Sequence, residues 1–92
     1  MKAVIFYELG NVSMDAARQA YPRHKKIVDE FHSKGKIIAV GTWANSSEGS
    51  MGIFKDRQSA EEFIKIDPFV LEGLVGKVTI KDWNETILGS DK

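Results

Sequence analysis

Two residues of this sequence are suited to proton transfer: His24 and Asp67. A histidine side chain gains and loses a proton near neutral pH, which makes it a natural general acid or base. His24 falls on the apolar side of an expected helix, within its first turn. A histidine placed there is more often a packed, hydrogen-bonded core residue, so position alone leaves both roles open.

Asp67 has a backbone that its neighbour restrains, because Pro68 pushes the residue before it out of the helical region. The position is also the expected end of a helix, where a carboxylate costs about 0.3–1 kcal/mol against the helix dipole. That cost predicts a compensating partner, either a protonated histidine or the backbone N–H of Phe69 or Val70 in an Asx turn. The turn is the favoured interpretation from the residues alone, and the two partners can be present together.

Other kinds of site lack the residues that they need. The chain has two histidines and no cysteine, and no metal-ligand spacing, so we expect no bound metal and no cysteine nucleophile. It has no glycine-rich phosphate loop, and Ser46, Ser47 and Ser50 do not lie in a nucleophile elbow. We interpret His32 as a solvent-exposed residue.

The composition restricts the partners of the protein. Of its 92 residues, 13 are basic and 13 acidic, and a net charge of zero argues against nucleic acid as a partner. An apolar fraction of 42% with 28% charged residues is typical of one globular domain, here 1–92. The N-terminal residues lack the apolar length of a signal peptide or membrane-spanning helix. We therefore expect a cytoplasmic protein with no membrane partner.

Four strands and two helices are predicted to position these residues. Runs of β-branched and aromatic residues indicate strands at 2–8, 36–43, 50–55 and 74–83. The order is βαββαβ, the ferredoxin-like pattern of α+β proteins. In that pattern two helices cover one face of a four-stranded antiparallel sheet.

Proline and aspartate mark the expected helix starts. Pro22 suits the first position of a helix that Gly35 ends, and Asp56 is a good N-cap for a helix through Ile66. The polar stretch 10–20 is expected to hold at most a short helical turn. A further turn is expected just before the last strand, at 69–73.

The first strand predicts an assembly, because both of its faces are apolar. Ala3, Ile5 and Tyr7 alternate with Val4 and Phe6, and the second strand has the same character. Two helices can cover only one face of the sheet. At about 25 cal/mol per Å² of apolar area, leaving the other face in water would forfeit several kcal/mol. We therefore predict a homodimer formed through the sheet faces.

Short motifs spread along the chain point to a known family. They are Pro22-Arg23-His24-Lys25, Gly35, Gly41 after an apolar strand, GSMGIF at 49–54, SAEEF at 59–63, Asp67-Pro68-Phe69-Val70 and Asp82-Trp83-Asn84-Glu85. Together they resemble the YciI-like (YCII-related domain) family over nearly the whole chain. The resemblance implies a ferredoxin-like fold that dimerises into an αβ barrel, with a histidine and an aspartate as an acid–base pair in its pocket. By position this pair is His24 and Asp67.

The pocket walls depart from the family pattern at two positions. Many members have Gly-Pro where this chain has Gly41-Thr42, and many have an arginine where this chain has Tyr21. Both differences would alter the wall, so the resemblance carries no substrate over to this chain, whereas it keeps the pair of His24 and Asp67. The residues that we expect to bind the substrate are Tyr7, Gly41, Trp43 and Phe69.

Two classes of function follow from these observations. As an enzyme, the protein would use His24 to move a proton while Asp67 fixes its tautomer, without an external cofactor. Such a pair suits elimination or isomerisation of a small cyclic, aromatic or enolic compound, and a relative in chloroaromatic degradation resembles a lyase that eliminates hydrogen chloride. As a binding module, the dimer would hold a small metabolite through hydrogen bonds from the same two residues.

Overall fold

The computed structural model describes residues 1–10 and 13–86. Its elements are β1 (Lys2–Leu9), α1 (Met14–Ser33), β2 (Ile37–Thr42), β3 (Ser50–Phe54), α2 (Arg57–Ile66), α3 (Pro68–Leu71) and β4 (Val75–Trp83). This order confirms the predicted pattern and adds the short helix α3, where the sequence predicts a turn. A single 3₁₀ turn, Ser46–Glu48, lies in the loop between β2 and β3. No helix in the described ranges is both long and apolar enough to cross a membrane.

The four strands form one antiparallel sheet in the order β2-β3-β1-β4, with β1 in the interior. Ile5 of β1 lies opposite Gly52 of β3 on one side and Ile80 of β4 on the other. The strands β2 and β3 form a hairpin whose register shifts between Ile37 and Ala39. The predicted ferredoxin-like α+β fold is therefore confirmed.

The core lies between the sheet and both long helices. Alternate residues of β1, including Ile5 and Tyr7, are buried in one cluster with Phe31 of α1 and Phe63 of α2. The rings of Phe31 and Phe63 meet edge to face with centroids 5.2 Å apart, a favourable aromatic geometry. The two helices thus share one face of the sheet.

The intervening residues of the strands form the opposite face of the sheet. Phe6 of β1 pairs there with Met51 of β3 and Thr79 of β4, and all three are half-buried. The ammonium group of Lys81 lies 5.7 Å from the centre of the Phe6 ring. The homodimer predicted from the sequence would form through this face, and it stays a prediction.

The first helix begins earlier than predicted. α1 starts at Met14, and Pro22 lies inside it rather than at its first position. The hydroxyl of Ser13 caps the helix by accepting hydrogen bonds from the backbone N–H of Asp15, at 3.1 Å, and of Ala16, at 3.4 Å. This cap and the helix-forming residues after it outweigh the hydrogen bond that Pro22 cannot donate. Residues 11 and 12 lie outside the described residues.

Gly49 fixes the loop between β2 and β3 against β1. Its φ of 100° is a backbone angle that residues with a side chain rarely adopt. A Cβ atom there would also clash with the backbone carbonyl of Tyr7. Its own carbonyl accepts a hydrogen bond from the N–H of Trp43 at 3.1 Å. A glycine at this position therefore lets the hairpin loop approach the strand that carries Tyr7.

Candidate functional site

Asp67 joins two helices, as the C-cap of α2 and the N-cap of α3. Its ψ of 120° is extended, as a residue before proline requires. Its Oδ1 accepts a hydrogen bond from the N–H of Phe69 at 3.1 Å, which is the Asx turn predicted from the sequence. The side chain is completely buried, with 0% exposure. A buried carboxylate needs further partners, and the fold supplies two.

His24 of α1 is the first of these partners. Its Nδ1 lies 2.7 Å from Asp67 Oδ1, and the residue is 8% exposed. The imidazole stacks on Phe69, with ring centroids 4.2 Å apart and planes 9° from parallel, and meets Phe63 edge-on. Packing therefore fixes the plane of the ring, and the hydrogen bond fixes which nitrogen faces Asp67.

Tyr7 of β1 is the second partner. Its hydroxyl donates a hydrogen bond to Asp67 Oδ2 at 2.5 Å. Burial, and then the neighbouring Asp67 charge, raise the pKa of the Tyr7 phenol well above its ordinary value. Tyr7 therefore stays protonated and acts as a donor. Among the described residues, no buried side-chain nitrogen or oxygen lacks a partner.

A cavity of about 530 Å³ opens beside this cluster. Its walls come from the end of β1, from α1, from the β2–β3 hairpin and from the segment 69–75. Four of the predicted site residues line it, namely Tyr7, His24, Gly41 and Phe69. Asp67 lies behind them, and Trp43, which is 39% exposed, lies outside the lining. The structure thus brings together five of the six predicted residues.

The outer part of the cavity contains residues that the sequence reasoning missed. Arg18 and Lys25 of α1 line it, and Ser46 and Ser50 bring hydroxyls from the hairpin. Tyr21, which the family pattern already placed in the wall, lines it as well. Both ionised side chains of the described lining are therefore basic. The signal that could have found Arg18 and Lys25 is their helical spacing, three residues before and four after Tyr21, which the expected helix start at Pro22 concealed.

The two cations at the mouth already have carboxylate partners on their own helix. Arg18 pairs with Asp15, and the Lys25 Nζ lies 2.8 Å from Asp29 Oδ2. All four side chains are more than half exposed, so these ion pairs are screened and weak. An anionic ligand could compete for either cation. No group of three or more metal-ligating side chains occurs in the part of the chain that the structure describes.

The chain matches a family over most of its length. A sequence model described as the YCII-related domain covers residues 1–84. Among solved structures, the chain is similar to the 5-chloro-2-hydroxyhydroquinone dehydrochlorinase of Burkholderia phenoliruptrix AC1100, in complex with 2,5-dihydroxybenzoquinone. The TM-score is 0.73 at 21% identity, over 94% of this chain and 96% of that one, which shows a shared fold. No curated protein matches the chain.

Proposed function

The chain belongs to the family of YCII-related domains, and from that membership we propose that it acts on a small cyclic compound, aromatic or enolic, by acid–base chemistry at His24. The observation that carries the proposal is the hydrogen bond of 2.7 Å between His24 Nδ1 and Asp67 Oδ1, made by a ring that also lines the cavity. Nδ1 is engaged, whereas Nε2, on the far side of the ring, has no hydrogen-bond partner among the described residues. This nitrogen is the one available to a ligand.

The pair suits elimination or isomerisation. In an elimination, Nε2 takes a proton from the substrate, the electrons of that bond form a double bond, and the leaving group departs with its own bonding pair. In an isomerisation, the same nitrogen returns the proton to another atom. Asp67 holds the Nδ1 proton and stabilises the imidazolium in both cases. The scheme uses no external cofactor.

A structural neighbour supports the choice of substrate class. That protein is a dehydrochlorinase seen with a dihydroxybenzoquinone, a small oxygenated ring. A cavity of about 530 Å³ falls within the range of small-molecule sites. We therefore propose a hydroxylated or quinonoid ring as the first class of substrate to test.

A binding function is the second candidate, and the packing of His24 favours it. The imidazole is 8% exposed and lies against Phe69 on one face, which restricts its access to a reacting atom. In a binding module, Nε2 would hydrogen-bond a small metabolite without moving a proton. Ligand affinity without conversion would be the result.

The experiment compares the parent with His24→Ala and with His32→Ala, an exposed histidine of the same helix. The probe for binding is 2,5-dihydroxybenzoquinone, and the probe for turnover is 5-chloro-2-hydroxyhydroquinone, from which elimination of hydrogen chloride leaves a hydroxybenzoquinone. We expect turnover in the parent and in His32→Ala, and its loss in His24→Ala. Binding without turnover in the parent would favour the binding module. If the parent neither binds nor converts these rings, the substrate class is wrong.

The stability of His24→Ala supplies a further test. Removing a histidine that serves only the fold leaves a buried partner unsatisfied and costs about 1–3 kcal/mol. Removing a catalytic one often costs little. A variant that melts like the parent but loses turnover supports the catalytic role, whereas one that melts far lower and keeps binding overturns it.

We also propose that a second copy covers the free face of the sheet. Its support is the half-buried set around Phe6, on the face away from the helices. Light scattering is expected to give about twice the chain mass of 10.3 kDa. Phe6→Asp, which places a charge in that interface, is expected to give monomers. A monomeric parent at micromolar concentration would contradict the dimer.

A further inference from the structure

The buried side chain of Asp67 makes three hydrogen bonds with three different parts of the fold. Tyr7 of β1 donates to Oδ2 at 2.5 Å, and the backbone N–H of Phe69 donates to Oδ1 at 3.1 Å. His24 Nδ1 lies 2.7 Å from Oδ1. Only the last contact can be made with the proton on either partner, since histidine has two neutral tautomers.

The other two donors decide where that proton lies. A backbone N–H always donates, and the phenol of Tyr7 keeps its proton because burial and the Asp67 charge raise its pKa. Both oxygens of Asp67 accept a hydrogen bond from one of these donors, Oδ1 from Phe69 and Oδ2 from Tyr7, so the carboxyl group is an acceptor towards Nδ1 as well. The hydrogen in the contact with Asp67 therefore belongs to His24 Nδ1, and Nε2 of the neutral imidazole is bare.

We propose that Tyr7 is a positioning residue for His24: its hydroxyl holds Asp67 as an acceptor, so that the imidazole keeps its proton on Nδ1 and offers Nε2 as the base. This assignment rests on the proposed function for its catalytic meaning. Its structural content, the tautomer of His24, can be measured without any ligand.

Tyr7 does what the Asx turn cannot do alone. The Phe69 N–H is local and engages Oδ1 only, which leaves rotation about the Cβ–Cγ bond of Asp67 less constrained. Tyr7 comes from the central strand and binds the other oxygen, so the plane of the carboxylate is fixed by two elements. Without the hydroxyl, Oδ2 would be an unpaired buried atom. Protonation of Asp67 would relieve that cost, make it a donor to Nδ1 and move the imidazole proton to Nε2.

The test is Tyr7→Phe, which keeps the ring and removes the hydroxyl. The matched control is Tyr21→Phe, which removes the hydroxyl of the other tyrosine of the chain at the same cavity. The readout is the ¹⁵N chemical shifts of the His24 ring at a pH where the imidazole is neutral, because they distinguish the two tautomers. We expect the Nδ1–H form in the parent and the control, and a shift towards the Nε2–H form in Tyr7→Phe.

A second measurement covers the case in which Tyr7→Phe does not fold. In the Tyr21→Phe background, 3-fluorotyrosine can replace Tyr7 alone and makes its hydroxyl a stronger donor without removing it. The carboxylate then becomes a weaker acceptor, so the Nδ1 proton resonance of His24 is expected to move upfield. No movement, or a downfield one, would overturn the proposal.

The outcomes separate this proposal from the proposed function. An unchanged tautomer in folded Tyr7→Phe overturns the role of Tyr7, even if the parent converts a substrate. A changed tautomer establishes that role, even if the parent converts none, in which case only the catalytic function fails. If the role of Tyr7 and the catalytic function both hold, we expect turnover to be lower in Tyr7→Phe than in the parent. The decrease cannot exceed the roughly 10²–10⁴-fold that acid–base catalysis contributes.

Discussion

The closed end of the cavity and its mouth use similar groups in opposite environments. At the closed end, Asp67 is 0% exposed and binds Tyr7 and His24. At the mouth, carboxylates pair with Arg18 and Lys25 on the exposed side of α1. Water screens the second set and not the first, so the same kind of contact differs greatly in strength. The buried contacts can hold a proton on one atom. At the mouth, a ligand can replace the carboxylate that pairs with Arg18 or Lys25.

The largest expected effect is that of Asp67→Ala at the closed end. The change leaves the donors of Tyr7 and His24 buried without their acceptor, and we expect the free energy of unfolding to fall by about 2–5 kcal/mol. Urea unfolding measures it. The control is Asp29→Ala at the mouth. A loss below about 1 kcal/mol at Asp67 would mean that the buried cluster is not held as described.

High pH is expected to weaken the fold through Tyr7. Burial raises the pKa of this phenol in the folded state, so the unfolded chain releases the proton first. The contribution to stability is fully present below the ordinary tyrosine pKa of about 10 and is lost as the pH rises above it. Tyr21→Phe leaves Tyr7 as the sole tyrosine. Its tyrosinate absorbance is expected only on unfolding, and absorbance from the folded protein near the ordinary pKa would contradict the buried hydrogen bond.

The basic side chains at the mouth are expected to affect ligand affinity less than the buried cluster affects folding. We expect 2,5-dihydroxybenzoate to bind more tightly than hydroquinone, which lacks the carboxylate, because the ionised lining is basic. Arg18→Ala should reduce this preference a few-fold, and added salt should do the same. Lys26→Ala, on the same helix but outside the cavity lining, is the control. If calorimetry gives the parent equal affinities for the two rings, the mouth does not select ligands by their charge.

The smallest expected effect is that of Asp29→Ala on stability. Its partner Lys25 is exposed, and a screened pair of this kind adds little to folding. The urea midpoint is expected to stay within the error of the measurement. A clear loss would show that the mouth is coupled to the fold as the closed end is, and the contrast between the two regions would disappear.

The positions of the strands along the chain could be predicted from the sequence, because local alternation of residue types carries that information. The start of α1 could not, since the preference of proline for a first helical turn competes with the cap at Ser13, and the cap prevails. Trp43 is a different case, because it follows the last residue of β2 and the alternation of the strand does not set the direction of its side chain. Its role in binding stays a prediction.

The hydrogen bonds of Asp67 also divide into one that the sequence predicts and one that it does not. The hydrogen bond from the Phe69 N–H is local, and the Asp-Pro pair predicts it. The contact with Tyr7 joins residues 60 positions apart, and no local pattern encodes it. It depends on how α2 and α3 pack over β1, which is a property of the whole fold.

The proline inside α1 affects how the wall of the cavity opens. Pro22 has no N–H to donate to the carbonyl of Arg18, so the helix lacks one backbone hydrogen bond where it passes the cavity. A helix interrupted in this way can open in two cooperative units with different free energies. Residues 23–33 are anchored by the large buried side chains of His24 and Phe31, whereas the buried residue of 14–21 is the small Ala20. Amide hydrogen exchange is therefore expected to be faster in the first two turns, which makes them the side from which a ligand enters at least cost to the buried cluster.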